Sequence, residues 1–307
     1  MLTCIGAALI DEVVNLQHAL HPGASNPARW TQSLGGVAAN VFRAARPHIP
    51  SRLIAAIGDD SNGEQIRLLI DDASDSLCVI PGYNSGRYCA VLDQQGELVL
   101  GLAEADVAEQ LTGEQIVNVL KRDGEAQAPE PPCRALTVFD SNLSISCIRS
   151  LCTGLPATTL AAMTVSPVKA MRLLDHADSI DLLLTNRNEA AALSGLSHAS
   201  GLGQLSDGLH KLGFTRHVIT DRGGDILVKD HQQSDQVAVE PVNSPVSVNG
   251  AGDAMAGAAL AHWCHGNSLL ESIAGPGLQA ANAVLSGQSP APLLARNSHT
   301  PAGLNSP

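Results

Sequence analysis

Apolar and polar positions alternate in blocks along the chain, and these blocks predict strands and helices in turn. Residues 2–10 form a continuous apolar run that ends at Asp11, which is typical of a buried strand whose end carries a polar group. Gly35 and Gly36 lead into a helix of small residues, and residues 52–57 form another short apolar strand. The order strand, helix, strand, helix favours a parallel sheet covered by helices.

The second half of the chain continues this rhythm. The pattern predicts further strands at 135–139, 157–163, 180–184 and 217–220, and a hairpin of 226–229 with 236–239. It predicts helices over 107–122, over 144–152, after Lys169, after Glu189 and from about 268 to 286. The proline-rich segment 123–133 predicts a loop.

Residues 83–104 interrupt the alternation. Two runs of strand character flank a Gln94-Gln95-Gly96 turn, which predicts a β-hairpin. Such a hairpin could form a lid or a dimer surface, and a hairpin without a function is the alternative.

Composition narrows the class of protein. Of 307 residues, 44% are hydrophobic and 16% charged, enough to bury a sizeable core. The net charge of −12 and an aromatic content of 2% argue against nucleic acid as a partner.

Seven cysteines, an odd number without C-x-x-C spacing, indicate reduced thiols. No apolar run reaches about 18 residues and the N-terminus lacks a basic segment, so we expect a cytoplasmic protein without a membrane span.

The stretch Gly250-Ala251-Gly252-Asp253 is the strongest candidate for chemistry. A β-branched run with Val246 and Val248 precedes it, and an Ala-rich helical pattern follows. Small residues at a helix start let backbone amides approach an anion, and a carboxylate there can take a proton from a hydroxyl. The alternative is a glycine turn in which Asp253 only begins the helix.

Other polar residues follow predicted strands or glycine turns, where ligands bind in open α/β sheets. They include Asp11, Asn142 and the pair Asn186 and Glu189. Asn186 and Glu189 could face one cleft or form a helix capping pair, and the spacing leaves both open. Asn40, one turn into its helix, could face a ligand hydroxyl or solvent.

Four motifs in this order resemble the ribokinase-like (PfkB) family of carbohydrate and nucleoside kinases. They are Gly35-Gly36…Asn40, Gly58-Asp59-Asp60…Gly63, Asn186…Glu189 and Gly250-Ala251-Gly252-Asp253. The resemblance covers nearly all of residues 3–286. It implies a three-layer α/β/α sandwich over residues 1–290, with a mainly parallel central sheet and a small β lid from segments near 12–33 and 83–104. It also implies a homodimer through the lid. Prolines and small polar residues predict a loosely ordered tail at 291–307.

Within that family the chain is similar to the pseudouridine kinases. The similar segments are 85–93 with 96–98, 139–144 and 164–169. This resemblance implies phosphorylation of the primary (5′) hydroxyl of a nucleoside, pseudouridine, by ATP with Mg²⁺. A kinase for adenosine, ribose or fructose, or a non-catalytic sensing relative, is the alternative.

The resemblance also implies a role for individual residues. Asp253 would be the catalytic base, and the amides of Gly250, Ala251 and Gly252 the anion hole. The acceptor would meet Asp11, Gly35, Gly36, Asn40, Arg87, Tyr88, Asn142, Ser166 and Lys169. ATP would meet Asn186, Thr220, Gly223, Gly224 and Asn282, and Glu189 would organise Mg²⁺.

Three positions depart from the family pattern. Leu9 stands where an Asn often contacts the sugar, and the glycines of 220–225 are displaced. Ser247 replaces an acid found in potassium-activated members, so no potassium site is expected.

Overall fold

The computed structural model describes residues 1–70, 76–122, 135–154, 158–240, 242 and 249–288. Thirteen strands lie in these ranges. They are β1 (Leu2–Ala7), β2 (Leu9–Leu16), β3 (Ala28–Gly35), β4 (Ser51–Gly58), β5 (Leu77–Ile80), β6 (Gly86–Leu92), β7 (Leu98–Glu104), β8 (Leu136–Asp140), β9 (Thr159–Met163), β10 (Leu182–Asn186), β11 (Arg216–Thr220), β12 (Ile226–Asp230) and β13 (Gln233–Val237).

The helices in the described ranges alternate with these strands. They are α1 (Val37–Ala45), α2 (Ser61–Ile70), α3 (Gly113–Arg122), α4 (Ile145–Gly154), α5 (Pro167–Ala170), α6 (Arg187–Ser194), α7 (Leu202–Lys211), α8 (Ala251–Cys264), α9 (Leu269–Ser272) and α10 (Leu278–Leu285). Two 3-10 segments, Asp106–Gln110 and Met171–Ser179, and a π-helical turn, Ile273–Gly277, complete the set. None of the helices described here is long and apolar enough to cross a membrane.

Nine strands form the central sheet in the order β13-β12-β11-β10-β9-β8-β1-β4-β5. Pairing is parallel from β5 to β11, and only β12 and β13 add antiparallel strands at one edge. Alternate strand residues enter two hydrophobic clusters, one with α1, α2 and α8, the other with α3, α4, α6 and α7. The three-layer arrangement with a mainly parallel sheet is confirmed. Successive residues of each buried strand point to opposite faces of the sheet, so both faces are apolar and each is covered by a layer of helices.

A second, smaller sheet has four strands in the order β3-β2-β6-β7, and we call it the lid. Its strands overlap the two segments, near 12–33 and 83–104, from which a lid was expected, and β6 and β7 pair antiparallel as the hairpin pattern predicts. Asp11 pairs with Tyr88 across β2 and β6, so their side chains share one face of the lid.

Three expected elements are wrong in extent. The apolar run 2–10 is two strands in two sheets, because the chain leaves the central sheet at Ala8 and both sheets bury their apolar residues. Asp11 therefore lies within a lid strand. The helix expected over 107–122 is a 3-10 turn followed by α3, since Thr112 and Gln115 bond reciprocally and begin a new helix.

The helix expected from 268 to 286 is interrupted by its π-helical turn, where Pro276 lacks an amide donor. Strand β5 and helix α7 were not expected from the pattern at all. The predicted loop 123–133, the tail 291–307, the run with Val246 and Val248, and Ser247 lie outside the described residues.

Helices α1 and α8 approach closely because α8 carries Gly257 at their contact. A Cβ there would lie 2.4 Å from the carbonyl oxygen of Val41 and 2.7 Å from the Cβ of Ala44. The close approach brings the N-terminal halves of both helices, with Asn40 and Asp253, to the same place.

We expect Gly257→Ala to lower the free energy of unfolding by about 1–3 kcal/mol, because the methyl group forces the two helices apart. Urea denaturation measures the change. Gly203→Ala in α7 is the matched control, since a Cβ there meets nothing within 4 Å, and helix propensity should make it neutral or stabilising by about 0.5–1 kcal/mol. A Gly257→Ala protein as stable as the wild type would contradict the packing argument.

Candidate active site

The start of α8 combines open backbone amides with an acid. Gly250 adopts a left-handed conformation (φ 78°) just before the helix, and Asp253 lies in its first turn. A Cβ at Gly252 would meet nothing within 4 Å, so its backbone is accessible. The first amides of a helix lack intrahelical partners and lie at the positive end of its dipole. This turn can therefore bind an anion next to a carboxyl group.

Asp253 is held by α1 from the opposite side. The side-chain amide of Asn40 donates to Asp253 Oδ2 at 2.9 Å. Arg43 in turn donates to Asn40 Oδ1 at 3.1 Å and to the carbonyl of Leu34 at 2.8 Å. Because Arg43 occupies the Asn40 oxygen, the amide nitrogen must point at Asp253, which fixes the carboxyl group in one orientation.

Burial raises the pKa of Asp253 to about 7, and the hydrogen bond from Asn40 opposes the rise. The carboxyl groups of Asp140, Asp11 and Glu189 raise it further, while Arg43 is the nearby positive charge. These neighbours come from β8, β2, α6 and α1. A carboxyl group with a pKa near neutrality is suited to take a proton in the physiological range.

Asp11 belongs to the same group. Burial raises its pKa to about 6, and Arg43 opposes the rise. Its carboxyl group lies against Gly35, where a Cβ would come within 2.2 Å of Asp11 Cγ. Gly36 has φ 93°, and a Cβ there would lie 2.4 Å from the carbonyl oxygen of Ala7. The glycine pair thus lets lid strand β3, helix α1 and Asp11 meet in a small space.

Asp140 is a further acid at this site. The sequence places it at the end of a strand, but the resemblance to the kinase family implied no role for it. Its side chain is 1% exposed. One oxygen accepts the amides of Ala7 at 2.9 Å and Ala38 at 3.1 Å, and the other accepts the amide of Asn142 at 2.9 Å. Burial raises its pKa, and these three donors oppose the rise. Gly6 provides the room, because a Cβ there would lie 2.3 Å from Asp140 Oδ2.

Asn142, Ser166 and Lys169 lie together. The ammonium of Lys169 donates to Asn142 Oδ1 at 2.9 Å, and Ser166 caps the short helix α5 by accepting the Lys169 amide. Two charged residues missed by the sequence reasoning complete this group. Glu109 lies 2.7 Å from Arg172 and 3.9 Å from Lys169, and their only sequence signal is isolated charge in helical segments.

Asn186 and Glu189 form a capping box at the start of α6. The helix capping pair, one of the two arrangements that their spacing left open, is therefore observed. Asn186 Oδ1 accepts the amides of Asn188 and Glu189. Glu189 is 4% exposed, and one of its oxygens accepts the hydroxyl of Thr164 and the amide of Asn186. Burial raises its pKa.

Two of the residues expected at ATP, Asn186 and Thr220, end the neighbouring strands β10 and β11 at one edge of the central sheet. Thr220 ends β11 directly beside Asn186. The next turn is fixed by an ion pair of 2.6 Å between Asp221 and Arg187, and by a bond from the Gly224 amide to the Asp221 carbonyl. Gly223 is open, and Asn282 is exposed on α10.

The two lid residues expected at the acceptor, Arg87 and Tyr88, point to opposite faces of the lid. Neighbouring residues of a strand point to opposite faces, so Tyr88 shares the face of Asp11 and Arg87 does not. Arg87 is 57% exposed and lies 3.5 Å from Glu104. The geometry favours Tyr88 over Arg87 as a neighbour of a bound ligand.

Residues 1–293 match the family described as pfkB family carbohydrate kinase. The chain belongs to this family.

Two known proteins share more than 25% sequence identity with this chain, and a third, less similar protein shares its fold. Pseudouridine kinase of Escherichia coli (strain K12) is 26% identical over 276 residues, covering 88% of this chain and 85% of that protein. A carbohydrate kinase from Agrobacterium tumefaciens has a TM-score of 0.75 at 27% identity over 94% of this chain and 92% of its own. Arabidopsis thaliana ribokinase, complexed with ribose and ATP, has a TM-score of 0.72 at 19% identity, over 92% and 91% respectively. As a member of the pfkB family, this protein is a carbohydrate or nucleoside kinase. Such a kinase is a phosphotransferase with an alcohol group as acceptor.

If Asp253 is the base that accepts the proton, we expect kcat/KM to fall as the pH drops below about 7, because Asp253 must then be ionised in the free enzyme and its pKa is raised to about 7. Initial rates between pH 5 and pH 9 measure this acid limb. Asn40→Ala should move the limb to higher pH, since it removes the hydrogen bond that favours the ionised form. A limb near the ordinary value of about 4 for an aspartate would contradict this account.

Proposed function

We propose that the protein transfers the γ-phosphoryl group of ATP to the 5′ hydroxyl of a nucleoside, pseudouridine, with Asp253 as the catalytic base. The observation that carries the proposal is Asp253 itself. It is held by Asn40, its pKa is raised to about 7, and it lies in the first turn of α8 beside open amides. A structural helix-start acid has no need of such an environment.

The proposed chemistry follows from this geometry. The acceptor hydroxyl lies against Asp253, which takes its proton as the oxygen attacks the γ-phosphorus. The bond from the γ-phosphorus to the β,γ-bridging oxygen breaks, and ADP leaves. The amides of Gly250, Ala251 and Gly252 receive the charge that builds on the phosphoryl oxygens. Phosphoryl transfer depends mainly on positioning and electrostatic stabilisation, and a helix start with fixed amides supplies both.

The acceptor side is built from polar groups on several elements. Asp11 and Asn40, beside the Gly35-Gly36 turn, are placed to bind the ribose hydroxyls. Asn142 and Lys169, held 2.9 Å apart, present an amide and an ammonium suited to the polar edge of a nucleobase. The similarity to a pseudouridine kinase over 88% of the chain supports pseudouridine as the substrate.

ATP is proposed to lie along Thr220, Gly223 and Gly224, beyond Asn186. Among the described residues, no group of three or more His, Cys, Asp or Glu is arranged to hold a metal ion. Mg²⁺ commonly binds through one carboxylate, phosphate oxygens and several waters, so Glu189 fits as its single protein acid. The acidic surroundings of Asp253 also favour a cation beside the phosphates.

A substrate panel tests the proposed acceptor. ADP release is measured with pseudouridine, uridine, adenosine, ribose and fructose at equal concentrations. We expect kcat/KM to be highest for pseudouridine. A higher kcat/KM for another compound of the panel would make that compound the preferred acceptor and leave the proposed kinase activity intact. ADP release that no acceptor stimulates would overturn the proposed function.

We also propose that two copies dimerise through the lid. Trp30, Val14, Val91 and Leu100 are direct partners in register and form an apolar row across all four lid strands, on the face opposite Asp11. The two ends of the row are exposed, Trp30 by 61% and Leu100 by 49%, whereas Val14 between them is 4% exposed. A second copy of the same row would cover the exposed ends, as two-fold symmetric interfaces do.

Leu100→Asp should convert the dimer to a monomer, because it places a charge at the exposed end of the row, on edge strand β7. Light scattering after size exclusion measures the mass. Leu68→Asp is the control, since Leu68 is 76% exposed on α2 outside the lid. A wild-type monomer, or a dimer that survives Leu100→Asp, would contradict the proposal.

A further inference from the structure

The motif Gly58-Asp59-Asp60…Gly63 has no part in the proposed chemistry, yet it lies where the lid joins the body. β4 ends at Gly58 and α2 begins at Ser61. Ser85, 0% exposed, is the last residue before lid strand β6. The motif and the lid are thus in contact at one root of the lid.

Three hydrogen bonds join the two segments, and a fourth lies within the motif. Ser85 Oγ donates to Asp60 Oδ1 at 2.6 Å and accepts the Gly58 amide at 2.8 Å. The Ser85 amide donates to Asp60 Oδ2 at 3.0 Å, and the Gly63 amide donates to Asp60 Oδ1 at 2.9 Å. Asp60 therefore holds the first turn of α2 and the start of β6 at once.

The glycines of the motif make this approach possible. A Cβ at Gly58 would lie 2.1 Å from the carbonyl oxygen of Tyr83. A Cβ at Gly63 would lie 2.4 Å from the carbonyl oxygen of Gly58 and 2.9 Å from Ser85 Oγ. Backbone atoms cannot give way as a flexible side chain can, so these positions require glycine for as long as the contact exists.

The contact acts on the acceptor side of the site. β6 begins at Gly86, and three residues after Ser85 it carries Tyr88, which pairs with Asp11 on β2. At another root the lid joins α1 through Gly35 and Gly36, a glycine pair with little intrinsic stiffness. The hydrogen bonds of Ser85 tie the start of β6 to the body in addition to this glycine connection.

Asp60 has the charge state that such a clamp needs. Burial raises its pKa, but the hydrogen bonds from Ser85 and Gly63 outweigh burial and lower the pKa below its ordinary value. The carboxylate is therefore ionised at neutral pH, and hydrogen bonds to a charged group are the stronger kind.

We propose that Asp60 and Ser85 form a clamp that sets the angle of the lid over the acceptor site, which makes them positioning residues for acceptor binding. The inference rests on the proposed function, because it assigns the lid to the acceptor. It predicts a selective effect. Loosening the clamp lowers the fraction of molecules whose lid is placed to bind, and apparent affinity falls in proportion to that fraction.

Steady-state kinetics of Ser85→Ala and Asp60→Asn test the clamp. We expect KM for the acceptor to rise about 3- to 10-fold in each variant while KM for ATP stays within about twofold, because a reduced competent fraction acts only on the ligand under the lid. Ser51→Ala is the matched control. Ser51 lies at the opposite end of β4 and donates to the Ile49 carbonyl at 2.9 Å, away from the lid.

Hydrogen–deuterium exchange of the substrate-free protein tests the clamp without activity. We expect faster exchange in β2 and β6 in Ser85→Ala than in Ser51→Ala or wild type, at unchanged exchange in β8 and β9. This readout separates the two proposals, since it holds even if the acceptor is not a nucleoside. Unchanged lid exchange, or a rise in both KM values alike, would overturn the clamp.

Discussion

One buried carboxylate, that of Asp140, joins three of the chain segments from which the candidate site is built. It accepts amides from Ala7, where the chain leaves the central sheet for the lid, from Ala38 in the first turn of α1, and from Asn142. Each segment then carries a candidate site residue within a few positions. The side chain of Asp140 is 1% exposed, and burying a carboxyl group is costly unless hydrogen-bond donors held in place offset the cost. The three hydrogen bonds therefore fix the positions of these segments, and moving any segment would leave the buried group without a donor.

The electrostatics of the site follow from this arrangement. Asp140, Asp11 and Glu189 surround Asp253 and raise its pKa, and Arg43 is the positive charge that α1 contributes. This many carboxyl groups would repel the negatively charged triphosphate of ATP unless positive charges compensate for them. The amides at the start of α8 and a magnesium ion would supply that compensation. The proposed base and the proposed need for Mg²⁺ thus have one physical origin.

The sequence predicts the repeated strand and helix order because buried parallel strands and amphipathic helices differ in period and length. It misplaces elements where an apolar run hides a change of sheet, as at Ala8, or where a capping box divides a helix, as at Thr112. The motifs predict most members of the site, since glycine turns and strand ends concentrate ligand contacts. Asp140, Glu109 and Arg172 were missed because their importance comes from contacts across 29 to 133 residues of chain, which periodicity cannot express.

The most direct test of the central claim is the rate of ADP formation by Asp253→Asn with pseudouridine and ATP. This change keeps the size of the side chain and removes its ability to accept a proton. The account predicts that kcat falls by about 10²- to 10⁴-fold, the usual contribution of a positioned base, with thermal stability retained. A variant that keeps the wild-type rate would show that Asp253 is not the base, and the proposed mechanism would fail with it.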